Sequence, residues 1–217
     1  MKSRKPEADP LLHFIIKLLL HIPPLFLLWY FLSPLLFGLL APLLDGLLKI
    51  LMSDTVHGVR FIGRELVFET LVPVLSADGR SGLATISLDP LKYCFSLPVV
   101  MGMILASVDG HKTVRRALWA YLVLLPSWLW SCGFWYAKTL RFDLAPNSLA
   151  LLDWGQLVSE SVALGYQFGA LMLPSIAALL VWAWLCPLQV QAFLRVEQRN
   201  HKASSRAKTK RVKPHQR

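Results

Sequence analysis

Ser161–Leu188 reads SVALGYQFGALMLPSIAALLVWAWLCPL, and it decides which solvent the chain folds in. The stretch carries no formal charge. As a helix it would measure about 42 Å, more than the ~30 Å hydrocarbon core of a bilayer. A helix on the surface of a water-soluble domain keeps a polar face, and one this long rarely stays apolar all round. Behind it, Arg195–Arg217 is dense in Arg and Lys. A span with a basic flank places that flank in the cytoplasm.

The composition agrees with a membrane solvent. Of 217 residues, 55% are hydrophobic and 17% charged, against roughly a quarter charged in soluble domains. The net charge of +10 is concentrated at the two termini and in one short loop, the pattern of cytoplasmic flanks rather than of a nucleic-acid-binding face. The three cysteines, Cys94, Cys132 and Cys186, form no CxxC. No Cys and His share metal-ligand spacing, so neither a metal nor a cofactor is expected. The N-terminal apolar run lacks a small-residue cleavage site and reads as a retained anchor.

Outward from that stretch, the chain divides as follows. Residues 1–10, with Lys2, Arg4 and Lys5, form a cytoplasmic N-terminus. Residues 11–52 are almost continuously apolar, about 63 Å if helical and too long for one upright span. The first span could run Leu11–Leu32, with Trp29 and Tyr30 in an outer aromatic belt, or Leu18–Leu40. An intermediate choice, Phe14–Leu36, lets Lys17 snorkel to the inner headgroups beside His13 and His21. Pro23, Pro24, Pro34 and Pro42 are expected to kink or break the helix. Gly38–Met52 pairs Asp45 with Lys49 at i,i+4 and reads as a helix lying along the interface, its rival being a second full crossing.

Residues 53–89 alternate apolar and polar side chains in Val59–Arg64, Glu65–Leu71 and Leu83–Leu88, with turn signals at Asp78-Gly79 and Ser81-Gly82. They read as a small periplasmic β-meander, too short to bury a core alone. Residues 90–188 hold three more crossings: Leu91–Val108, Ala117–Ala137 and Ser161–Leu188. A short periplasmic segment, 139–160, includes an interfacial helix around Leu149–Trp154. Residues 189–217 form the basic cytoplasmic tail. The fold class is therefore mainly α: a polytopic membrane protein with four transmembrane helices and a small periplasmic β-rich insert, both termini in the cytoplasm. Lys112, Arg115 and Arg116 in the short loop fit that topology. So does the concentration of Asp54, Glu65, Glu69, Asp78, Asp89, Asp143, Asp153 and Glu160 in the outer segments.

Several phrases carry a family resemblance: PPLFLLWYFLSPLL at Pro23–Leu36, DPLKYCFSLP at Asp89–Pro98, KTLRF at Lys138–Phe142 and SVALGYQFGALMLP at Ser161–Pro174. Together they resemble the exosortase H-associated membrane proteins, small bacterial inner-membrane proteins found with a sorting system that processes proteins bearing a C-terminal PEP-CTERM-like signal. The resemblance covers most of Leu11–Leu185 and omits the basic tail. It implies association with an exosortase or its substrate, not exosortase activity, and it supplies no catalytic residues.

Four groups of residues are candidates for function. A thiol-dependent membrane hydrolase or transpeptidase would need a nucleophile near the outer face. Cys94 has that position, with His57, Arg60 and Arg64 on the same side; the alternative is a small buried hydrophobe. An oxidising periplasm would allow a Cys94–Cys132 disulfide. Gly165 and Gly169 flank Tyr166 and Gln167 at a small-xxx-small spacing, which suits either a partner helix or packing within the chain's own bundle. Glu160 precedes the last span, and Lys138 and Arg141 follow the one before it, so the three either form an ion pair or stay solvated at the headgroups. The tail needs only anionic lipid as a partner, at about 1 kcal/mol per basic residue near the surface. With no internal repeat and no paired intramembrane charges, a transporter has little support. The expectation is an accessory protein rather than an enzyme.

Overall fold

The computed structural model describes residues 10–75, 81–107, 113–144, 152 and 154–195. The basic N-terminus, the Asp78-Gly79 turn, the 109–112 loop, Leu149–Trp154 except residues 152 and 154, and the tail from residue 196 lie outside the described residues.

Helix α1 spans Pro10–Gly38 and runs unbroken through Pro23, Pro24 and Pro34. The expected breaks do not occur there. Each proline strips a hydrogen bond from the carbonyl four residues earlier, and in an apolar surrounding other groups must replace it. For Pro34 the orphan is the carbonyl of Tyr30, and Ser33 Oγ donates to it at 2.8 Å. Pro42 is different. It falls in the first turn of α2 (Leu40–Leu51), where its missing N–H costs nothing, and the chain breaks just before it at Leu39. Helix α2 is amphipathic: Leu40, Ala41, Leu44 and Leu48 are buried at helical spacing, while Asp45 and Lys49 pair at 2.8 Å on the other face.

A three-stranded antiparallel meander follows, β1 (Val56–Ile62), β2 (Glu65–Leu75) and β3 (Ser81–Leu88), in the order β1-β2-β3. Gly63 and Arg64 form a two-residue hairpin with Gly63 at φ 64°, a turn that wants glycine in its first central position. Pro73 is tolerated in the central strand because the register shifts between Glu69 and Pro73. The inner face presents Val59, Leu66, Phe68 and Leu88, all buried.

Among the described residues, three helices are long and apolar enough to cross a membrane: Leu11–Gly38, Thr113–Asp143 and Gln156–Leu185. The expected second crossing, Leu91–Val108, contains a shorter helix. Asp89 caps a 3₁₀ turn at Pro90–Lys92, and α3 occupies only Ser96–Ser107, 12 residues, or about 18 Å. Pro98 lies in its first turn, where a proline is allowed. α3 packs against α1, α4 and α6, and most of its residues are buried. Its apolar sequence therefore reflects a place at the centre of the protein.

Helix α4 spans Thr113–Lys138 and ends in a π-helical turn, Thr139–Asp143. Helices α5 (Gln156–Gln167) and α6 (Leu173–Leu185) join through a second π-helical turn, Phe168–Met172, just ahead of Pro174. The sheet rests on the end of α4. Phe68 stacks on Tyr136 with ring centroids 5.0 Å apart and lies 5.8 Å from Trp135. Tyr136 Oη donates to the carbonyl of Thr55 at 2.9 Å. Phe37, at the end of α1, meets both Phe61 of β1 and Trp128 of α4.

Candidate functional site

The cysteines lie where the 3₁₀ turn meets α4. Cys94 and Cys132 are fully buried, free, and neighbours within the core. Both are free thiols in this structure, at the positions where a disulfide was one expectation. The bases proposed as helpers for Cys94 lie elsewhere. Arg64 lies over the ring of Tyr30, 4.0 Å from its centroid. His57 and Arg60 line a separate cavity. The electrostatic neighbours of Cys94 are Cys132 and the Asp89 carboxylate.

The glycine pair faces inward. A Cβ on Gly165 would strike the ring of Phe134, and one on Gly169 would come within 3.2 Å of the Ser131 backbone. Two carbonyls, one before the π-helical turn and one within it, are satisfied from α4: Trp130 Nε1 donates to Gly165 O at 3.2 Å and Ser131 Oγ to Gly169 O at 2.8 Å. The small residues and the irregular turn thus form one interface, α4 against α5–α6. Tyr166 turns toward the interior, its hydroxyl 3.5 Å from that of Tyr93 and its ring 5.8 Å from Lys138 Nζ. Gln167, the next residue, points outward and is exposed.

Of the two readings open for Glu160, Lys138 and Arg141, an ion pair or solvation at the headgroups, the structure shows neither cross-pair and places each residue in other contacts. Lys138 Nζ pairs with Asp143 at 2.7 Å on its own π-helical turn, the nearer carboxylate. Glu160 accepts from Gln156 Nε2 at 2.8 Å. Arg141 does join the two helix ends, but through Ser159 Oγ at 2.7 Å.

A polar cavity of about 330 Å³ lies at the junction of α2 and the sheet, lined by Asp45, Lys49, His57, Arg60 and Glu69. Asp45 anchors it, accepting from Lys49 Nζ at 2.8 Å and from the Val59 N–H at 2.8 Å. Burial pushes the Asp45 carboxyl up. The Lys49 and Val59 hydrogen bonds and the charges of Lys49 and His57 outweigh it and hold the group below its ordinary value. Arg60 pairs with Glu69 at 3.3 Å. An apolar groove of about 520 Å³ lies between α1, α3 and α4, bordered by Trp29, Leu32, Leu97, Met101 and Tyr121. Among the described residues no three His, Cys, Asp or Glu side chains converge as a metal-binding set.

Long apolar helices around a buried short one, with a small sheet seated on one end, define a helical membrane protein. The chain belongs to the exosortase H-associated membrane proteins, whose family model matches residues 8–188. No curated protein and no solved structure matches it. The match covers every element described above up to the end of α6 and stops short of the basic tail, as the sequence resemblance did.

Proposed function

We propose that this chain is a non-enzymatic accessory protein of an exosortase-type sorting system in the bacterial inner membrane, and that it holds the sorting enzyme or its substrate at the outer face. Four crossings, along α1, α3, α4 and the continuous α5–α6 helix, leave both termini in the cytoplasm and the sheet in the periplasm. The basic tail rests on anionic lipid. Family membership carries this reading. The place of α3 supports the fourth crossing: a short helix and its non-helical approach are tolerated at membrane depth when protein surrounds them.

The docking edge in this reading is β3. The Val59 N–H points away from β2, toward Asp45. In an antiparallel ladder the next pairing alternates, so Phe68 turns its backbone groups toward Ile86, its partner on β3. Thr85 and Ser87 then direct theirs outward. Helix α2 packs against β1. Among the described residues no backbone hydrogen bond from another element reaches β3 on its outer side. An extended segment of the enzyme or its substrate would add there as a fourth strand.

Co-purification in mild detergent from cells expressing the sorting system tests the role, and recovery of the protein free of any sorting component refutes it. Thr85→Pro removes an outward donor and spares the ladder. It should reduce co-purification several-fold with the melting temperature unchanged; full retention would move the contact off this edge.

A further inference from the structure

The cavity at the junction of α2 and the sheet is built from charges of both signs. Two carboxylates meet over Gly58. A Cβ there would lie 3.7 Å from Asp45 Oδ1 and 3.8 Å from Glu69 Oε2, so the glycine leaves a gap that both acids face. Three bases border the same space: Lys49, His57 and Arg60. The strand register shifts between Val56 and Gly58. That leaves His57 as the extra residue of a bulge, a device that re-aims side chains. Lys49 and Arg60 each pair with a carboxylate, yet their side chains are 50% and 65% exposed. An ammonium has three donors and a guanidinium five, so both keep donors for a further acceptor.

Helix α2 leads from this cavity to an apolar edge. Gly46 lies about 60° around the helix axis from Lys49, and Leu43 and Ile50 lie a further ~40–60° round. A Cβ on Gly46 would meet nothing within 4 Å. Leu43 and Ile50 are both exposed, Ile50 by 82%. The surface of this one helix therefore passes from charged side chains, over bare backbone, to apolar side chains within half a turn. That is the order of layers a helix meets when it lies in the headgroup region of a bilayer.

We infer that the cavity takes the headgroup of a phospholipid that carries a primary amine. The ammonium sits in the gap over Gly58 and donates to Asp45 and Glu69. The phosphate faces Lys49, His57 and Arg60. The acyl chains pass Gly46 toward Leu43 and Ile50. The charges select this chemistry. Asp45 and Glu69 balance Lys49 and Arg60, which suits a zwitterion, and hydrogen bonds between ionised partners are the strong ones. A choline headgroup has the positive charge but no N–H to donate. A glycerol headgroup has hydroxyl donors but no positive charge to set against the two acids. The volume of about 330 Å³ falls at the small end of ligand sites. The inference does not depend on the sorting role. It rests only on α2 lying at the membrane surface.

The full-length chain in nonionic detergent, offered phosphatidylethanolamine, phosphatidylcholine and phosphatidylglycerol with identical acyl chains, tests this by native mass spectrometry. One phosphatidylethanolamine should be retained with about tenfold preference over either rival. Gly58→Ala puts a methyl group at ordinary contact distance from both acids, so the fold survives and the place of the ammonium is filled. Glu69→Gln keeps the shape and removes one charge. Each variant should bring the preference to within about twofold, with a melting temperature in lipid-free detergent equal to wild type. Should Gly58→Ala fail to fold, Glu69→Gln reads the same contact. Three results would overturn the inference: equal retention of phosphatidylcholine or phosphatidylglycerol by the wild type, an undiminished preference in either folded variant, or soluble O-phosphoethanolamine binding as tightly as the lipid, which would make the ligand a free zwitterion.

Discussion

Tyr136 is the point at which the sheet is fixed to the helices, and its removal has a calculable cost. The side chain is fully buried. Its ring stacks on Phe68 at 5.0 Å with an interplanar angle of 17°, and its hydroxyl donates to Thr55 O at 2.9 Å. That carbonyl also accepts from the Leu71 N–H at 3.0 Å, so Tyr136→Phe leaves it with one partner, at a cost of about 1 kcal/mol. Tyr136→Ala removes the stack and opens a cavity, costing ~3–5 kcal/mol. For a chain of this size those losses correspond to about 3 °C and ~10 °C in melting temperature. A thiol-reactive fluorogenic dye reads the transition, because Cys94, Cys132 and Cys186 are all buried and react only on unfolding. In Tyr136→Ala, proteolysis within residues 53–89 should also accelerate before the helices melt. If Tyr136→Ala costs no more than Tyr136→Phe, the ring does not hold the sheet and the reasoning fails.

Other perturbations have defined outcomes. Asp45→Ala strips the acceptor from the Val59 N–H and should cost about 1–3 kcal/mol, read by the same melt. Because the folded carboxyl titrates below its ordinary value, its contribution is complete above the unfolded value of about 3.9 and fades as pH falls through the folded one. The melting temperature of the wild type should therefore drop more steeply than that of Asp45→Asn between about pH 5 and pH 3. Gly169→Ala presses on the Ser131 backbone, so overpacking of ~1–3 kcal/mol should exceed the ~1 kcal/mol of helix propensity gained. Gly165→Ala meets a side chain instead, its Cβ overlapping the ring of Phe134, so Phe134→Leu should rescue it and should not rescue Gly169→Ala.

The membrane character was legible because it is additive: long charge-free runs with basic flanks need no knowledge of contacts. The meander was legible from alternation, yet the Gly63-Arg64 hairpin was not, since a turn of two residues leaves the apolar pattern nearly intact. The proline effects could not be read from the chain alone. Whether Pro34 breaks a helix depends on Ser33 answering for Tyr30, and whether Pro42 does depends on where the helix begins. The Asp45–Val59 bond joins residues 14 apart in sequence across the α2–β1 corner and leaves no periodic trace. The partners that Lys138 and Glu160 take, Asp143 and Gln156, were not legible for a related reason. A π-helical turn re-aims side chains, and no local pattern at Thr139–Asp143 announces one.

The central helix shows how tertiary contacts override a weak local signal. Alone, 12 residues fall at the lower limit of helix stability in water, and α3 contains Pro98 and Gly102. Its order comes from its ends. Ser96, its first residue, accepts from Trp128 Nε1 of α4 at 2.8 Å. Ser107, its last, accepts from Trp182 Nε1 of α6 at 2.9 Å. The first bond satisfies an indole N–H that would otherwise be buried without a partner, and the second one that is half-buried, so the Trp128 pair above all cannot let go at low cost. Between these pins, Gly102 lets α1 approach until a Cβ there would lie 3.2 Å from Leu18. The tryptophans of α4 and α6 are thus what fixes the depth of the helix they surround.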